Sequence, residues 1–251
     1  MKDLKYTIKY FKSARVIFCD KDANAVDETY KYALNGIWKG LRFFLLPQGF
    51  PLINLFIAPD REEYDRMVSH LTKIPTSKGR LGQPQGHDFY LIAPNAWPTD
   101  VHPDYLGPDG ACDKKVYRQF IEHEIVHMIE EYSSPKNAME IRPQWWGDGI
   151  AVYATGQYGD RINREEIKKD LAVNKLPHIT GMKGRDAYVW GWSLVRYIEK
   201  RFGRKILRKI ILESCTEDIL GFLKLRKNKF ELEWRAAILG LGKEATLKGR
   251  K

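Results

Sequence analysis

The feature that most constrains this chain is a change of hydrophobic period part-way along it. Up to Ile92, short apolar runs of strand length alternate with helical patterns; from about residue 115 every pattern is helical. Lys9 to Cys19 reads as a strand centred on Val16, Ile17 and Phe18. Asp22 to Leu41 carries Val26, Tyr30, Leu34, Ile37, Trp38 and Leu41 at helical spacing. Pro51 to Pro59 reads as a second strand and His87 to Ile92 as a third. Between them, Asp60 is placed to cap a helix bearing Tyr64, Met67, Val68 and Leu71. The pattern predicts an α+β chain: a small mixed sheet with helices over residues 1–115, then a mainly α-helical part over 116–251.

The boundary between the two parts is a segment of another kind. Ala93 to Lys114 holds Pro94, Pro98, Pro103 and Pro108 with Gly107 and Gly110, and reads as a long loop without secondary structure. Such a loop is uncommon inside a compact domain and is either functional or a plain surface excursion. After it, Val116 to Glu131 carries Phe120, Ile121, Ile125, Met128 and Ile129 on a helix. Pro143 suits the first turn of another, running to about Ala154. Asp186 is placed to cap a third, with Tyr188, Trp192, Leu194, Val195 and Ile198, stopped by Gly203; two or three basic amphipathic helices follow.

Composition bounds the function classes. With 251 residues, 43% hydrophobic and 29% charged, the chain has enough apolar surface to fold without staples. Met1 to Tyr10 is charged and lacks the apolar core of a signal peptide, and no apolar run reaches membrane-spanning length. Cys19, Cys112 and Cys215 are an odd, widely spaced set, expected to be reduced thiols. These features predict a cytoplasmic protein with no membrane partner. The net charge of +10 suggests an anionic partner, but it is local. Arg196 to Lys251 holds 16 Lys/Arg against 7 Asp/Glu, which leaves the preceding residues at +1.

Chemistry concentrates in the helix after the loop. His123-Glu124-Ile125-Val126-His127 sets two imidazoles four residues apart, one turn along one helix face, where both can reach one ion. Glu124 can bring its carboxylate to a water on that ion. This is the spacing a zinc hydrolase needs, with two neutral nitrogen ligands and a base beside them. The bland alternative is a helix with two incidental surface histidines. A zinc site takes a third protein ligand, and Asp148 in Trp145-Trp146-Gly147-Asp148-Gly149 is the candidate, an acid amid aromatic and small residues. Its alternative is a solvated residue between two glycines. Of the rival carboxylates, Glu130 and Glu131 are too close on the same helix, and Glu140 lies in a polar loop. His87, His102 and His178 are isolated and read as surface residues.

His123-Glu-x-x-His127 followed by Trp145-x-x-Asp148-Gly149-x-Ala151 resembles the gluzincin clan of zinc metallopeptidases, and the layout is similar to small peptidase MA-like domains. The resemblance implies a zincin-like fold and one Zn²⁺ held by His123, His127 and Asp148. It implies Glu124 as general base in the hydrolysis of peptide bonds. Tyr188-Val-Trp-Gly191 is similar to the clan's Tyr-x-x-Gly, which implies that the Tyr188 hydroxyl stabilises the oxyanion. Two departures stand out. Asp148 replaces the clan's usual Glu, one methylene longer, so its helix must come closer to the ion; Gly147 and Gly149 would permit that. No Gly-x-Met-Glu-Asn segment, which grips a free amine in the aminopeptidase branch, precedes His123; Ala138-Met-Glu140 falls after it.

In zincin-like layouts an extended peptide pairs with the sheet edge beside the metal. Gly86 to Ile92, with Asp88, Phe89 and Tyr90, is the strand nearest in sequence to the motif and is expected to bind substrate, with the proline-rich loop bordering the cleft. Residues 1–115 and 116–251 would then serve as one catalytic unit acting on a peptide or protein. Two other readings remain. One is a metal-bound but proteolytically silent domain that binds a peptide or partner. The other is a nucleic-acid-binding protein using Arg201, Arg204, Lys205, Arg208, Lys209 and Lys224 to Lys229, whose plainer reading is solvated helix faces.

Overall fold

A computed structural model describes residues 4–47, 49–72 and 75–239, with Asp160 described by its backbone alone. The basic residues 240–251, part of the region expected to be helical, lie outside the described residues. The fold is α+β, built on one five-stranded sheet with most of the remaining chain in helices. Its strands are β1 (Tyr6–Tyr10), β2 (Ala14–Cys19), β3 (Ile53–Ala58), β4 (Gly82–Gln85) and β5 (Asp88–Ile92). They lie in the order β1-β2-β3-β5-β4. β2, β3 and β5 run parallel, and an antiparallel hairpin closes each end. Parallel neighbours need long crossovers. Helix α1 (Val26–Phe43) supplies the one from β2 to β3, and α2 (Arg61–Met67) lies on the one from β3 to β5. The Asp60 side chain accepts from the Glu63 amide at the start of α2, as its placement predicts.

One strand reading is corrected and one strand is added. Lys9 to Cys19 is a hairpin that turns at Phe11–Ser13, not one strand. β1 lies at a sheet end and is largely solvated, so it carries no apolar alternation to announce it. β4 has the sequence Gly-Gln-Pro-Gln, polar and bearing a proline that only an edge strand tolerates. Nor is the stretch from Ala93 to Lys114 structureless. Turns at Pro94–Ala96 and Pro103–Tyr105 flank the single turn α3 (Trp97–Asp100), and Leu106 bridges to Cys112. Trp97 is wholly buried, donating from Nε1 to the Ile92 carbonyl at 3.3 Å and meeting Tyr117 edge-on. The prolines begin turns, and one anchored indole holds the segment down.

Helix α4 (Lys114–Ser133) lies along α1, and small residues let the two backbones approach. A Cβ on Gly36 would stand 2.9 Å from Ile125 Cβ and 3.1 Å from Glu122 Cα. Beside this seam, Thr29 Oγ1 and the Tyr117 hydroxyl share a buried hydrogen bond of 2.7 Å, and Lys39 pairs with the buried Glu122 at 2.6 Å.

The rest of the chain is helical. It comprises α5 (Ala138–Ile141), α6 (Gln144–Thr155), α7 (Gly159–Ala172), α8 (Arg185–Phe202), α9 (Arg204–Glu213), α10 (Ile219–Phe222) and α11 (Lys227–Leu239). α8 is entered through Gly184 rather than capped by Asp186, which sits in the first turn and pairs with Lys175. Gly203, at φ +81°, ends it. Trp190, Trp192 and Trp234 are fully buried, with Trp190 against Trp234 edge-on. Arg142 is buried too; its Nη2 donates to the carbonyls of Ile210, Ile211 and Ser214 at 2.6–2.9 Å, closing the C-terminal end of α9. By their internal contacts the residues divide into Met1–Ser133 with Ala154–Gln157, and Ser134–Tyr153 with Tyr158–Lys251. Among the described residues, no helix is long and apolar enough to cross a membrane.

Candidate metal centre

The helix α4 holds Ile121, Ile125, Val126, Met128 and Ile129 in the interior, so its polar residues cannot all face water. His123 is 3% exposed and His127 half-buried. Four residues apart, they turn toward each other: their Nε2 atoms lie 3.1 Å apart with the rings at 78°. On the far side of the His123 ring, Nδ1 faces the Gln157 Oε1 at 2.8 Å. A carboxamide oxygen only accepts, so this bond puts the proton on Nδ1 and leaves the Nε2 lone pair pointing at His127. Two imidazole nitrogens on one tetrahedral zinc, each about 2.0–2.1 Å from it, stand about 3.3 Å apart. The observed spacing is close to that. An imidazole whose second nitrogen is tied to an oxygen acceptor is also how metal-binding histidines are commonly oriented.

Gln157 carries no role in the sequence reading. It follows Gly156 just beyond α6, and no motif or periodicity marks it; its meaning comes from the fold alone.

Glu124 is half-buried on the same helix. Its charge is felt by Tyr64 on α2, whose phenol is fully buried. Burial raises the Tyr64 pKa well above the ordinary value and Glu124 raises it further, against Arg80. Asp148 lies in α6 between buried Trp145, Trp146 and Ile150, itself 9% exposed, so it is not a solvated turn residue. Gln144, one turn earlier, donates from Nε2 to its Oδ2 at 2.9 Å. His123 and His127 are brought together on α4, and Asp148 on α6 is the third candidate ligand.

The glycine beside Asp148 has a task that the sequence did not announce. A Cβ on Gly149 would fall 2.7 Å from the Gly191 carbonyl oxygen, and one on Gly191 would fall 3.2 Å from Gly149 Cα. The glycines of the two motifs are therefore the point where α6 and α8 cross backbone to backbone. Tyr188 is half-buried in the first turn of α8, one turn before that crossing.

The expected substrate strand needs correction. β5 is flanked by β3 on one side and β4 on the other, so its main-chain groups are engaged in the ladder on both sides. Phe89 is buried against Phe120, Tyr90 is stacked on Phe56, and Asp88 accepts from Asn54 Nδ2 at 2.7 Å. The strand at that end of the sheet is β4. Glu131 accepts from the Gly86 amide at 3.1 Å, and His87, His102 and His178 are exposed.

No protein-family model matches the chain, and no curated protein is similar to it in sequence. Among solved structures it is similar to an aminopeptidase N family protein from Idiomarina loihiensis, with a TM-score of 0.46 and 11% identity. That similarity covers 89% of this chain and 44% of the other, so the chain spans less than half the length of that protein.

Proposed function

We propose that this chain is a zinc-dependent hydrolase of peptide bonds, of the gluzincin type. One observation carries the reading: two imidazole nitrogens 3.1 Å apart on a buried helix, one of them oriented by Gln157. At that spacing a single ion can take both nitrogens. His123, His127 and Asp148 would hold the ion. Bound Zn²⁺ supplies Lewis acidity and brings the pKa of a water down to about 7.

The chain's own residues do the rest. Glu124 accepts the proton of the attacking water and passes it to the leaving amine. The Tyr188 hydroxyl donates to the oxyanion that forms at the carbonyl. Asp148 is shorter than the usual glutamate, and Gln144 holds one of its oxygens, which limits how the carboxylate can turn. An extended peptide would add to the sheet along β4, the end strand, rather than along β5.

The test is metal content. Purified chain should carry one zinc per molecule and cleave an unstructured protein such as casein, and His123→Ala should lose both. Equal zinc in wild type and His123→Ala would refute the site.

A further inference from the structure

The structure holds an oxygen cluster apart from the candidate metal centre and independent of the zinc reading. It lies where β2 ends and α1 begins. The intervening turn, Asp20–Ala25, sets oxygen-bearing side chains at alternate positions, Asp20, Asp22 and Asn24. Asp22 is wholly buried, and its Oδ2 has no hydrogen-bond partner among the described residues. The other oxygen of the same carboxylate faces the side chain of Asn95, which arrives from the turn after β5.

Asn95 Nδ2 stands 3.4 Å from the Lys21 carbonyl, 3.3 Å from Asp22 Oδ1 and 3.2 Å from Asn24 Oδ1. An amide nitrogen has only two hydrogens to give to these three oxygens, and all three distances exceed the usual 2.9–3.0 Å. Three oxygens thus converge on one point, and one of them belongs to a buried carboxylate that no cation contacts among the described residues. Burial raises the Asp22 pKa, Asn95 and Lys21 partly offset this, and Asp60 adds to it.

We propose that this cluster is a calcium site. Asn24 and Asn95 are exposed, so an ion can enter from solvent and settle on Asp22 below. Rotation of the Asn95 amide exchanges its nitrogen for its oxygen. The Lys21 carbonyl, the Asp22 carboxylate, Asn24 Oδ1 and Asn95 Oδ1 then face the ion, and waters complete its shell. Calcium takes six to eight oxygens in flexible geometry, carbonyl and amide oxygens included, whereas magnesium demands near-ideal octahedra and keeps its water. With one carboxylate at contact the affinity is modest, a Kd on the order of 10⁻⁴ M. The ion would join the end of β2, the start of α1 and the segment after β5, stabilising the turn that leads α1 onto α4.

The experiment is calcium titration of the full, zinc-loaded chain, followed by calorimetry and by thermal unfolding. The expected result is one calcium bound, with Tm raised by about 3–5 °C at ten times Kd. Asp22→Asn should abolish binding without lowering the calcium-free Tm, because it removes a buried charge and keeps the shape. Asn24→Ala, at an exposed position, should weaken binding at least tenfold. The proposal fails if millimolar calcium gives neither heat nor a Tm shift, if Asp22→Asn binds as wild type does, or if magnesium binds equally well.

Discussion

At the scale of single residues, the pairing of two imidazoles was legible because the helix period does the positioning. His123 and His127 need only one helical turn to meet, so five consecutive residues announce the pair. Gln157 is 34 positions from His123 in the chain, and only the fold brings its oxygen to that ring. Gln157→Leu should therefore lower zinc affinity about 10–100-fold while leaving the metal-free Tm near wild type, read by competition with a chelator.

Arg142 belongs to the same scale, since one guanidinium satisfies three carbonyls at the end of α9. Arg142→Met takes this donor from the Ile211 and Ser214 carbonyls, while Ile210 keeps the Ser214 amide, and should cost about 2–4 kcal/mol, measured as a lower urea midpoint at unchanged slope. Glu63 makes a pH prediction. Its hydrogen bond from Arg66 holds its carboxyl below the usual range against burial, with the Tyr6 hydroxyl assisting. A depressed carboxyl contributes stability that is present above its unfolded value of about 4.3 and is lost as pH falls through the folded one. Glu63→Gln should thus destabilise the protein at pH 7 and make little difference at pH 2, as seen in unfolding curves at the two values.

At the scale of elements, apolar periodicity found the buried parts and missed the solvated ones. α1, α4, α6 and α8 carry their core faces in the sequence. α7 (Gly159–Ala172) was not foreseen, because its sequence is dominated by charge and Ile167 is a rare fully interior residue on it. β4 and β1 escaped for the same reason, and β5 was taken for the substrate strand because its neighbour β4 was invisible.

Gly149 has a contact that the sequence did not announce. Gly149 serves the crossing of α6 over α8, which is a property of two helices together. Gly149→Ala should destabilise by at least about 1–3 kcal/mol, since the new methyl meets the Gly191 backbone rather than a movable side chain. Of the basic helices, α9 shows Arg204 paired with Glu199 and Lys209 with Glu213, a pattern of solvated ion-paired faces.

At the scale of the whole molecule, the α+β class followed from the change of period near residue 115, and the described residues bear it out. The net charge of +10 gathers in the C-terminal fifth, beyond the His123–His127 motif, so the charge predicts nothing about a substrate there. A zinc held by the native arrangement and not by the unfolded chain adds stability by mass action, about 2.7 kcal/mol at a hundred times Kd. Chelation should accordingly lower Tm by several degrees in wild type and leave His123→Ala unmoved.

The most direct test of the central claim separates binding from chemistry in one variant. Glu124→Gln keeps the size and shape of the side chain and removes its capacity to take a proton. With zinc content and casein cleavage measured on the same preparation, the account predicts one zinc per chain and hydrolysis reduced at least a hundredfold. Full activity in Glu124→Gln with zinc retained would contradict it.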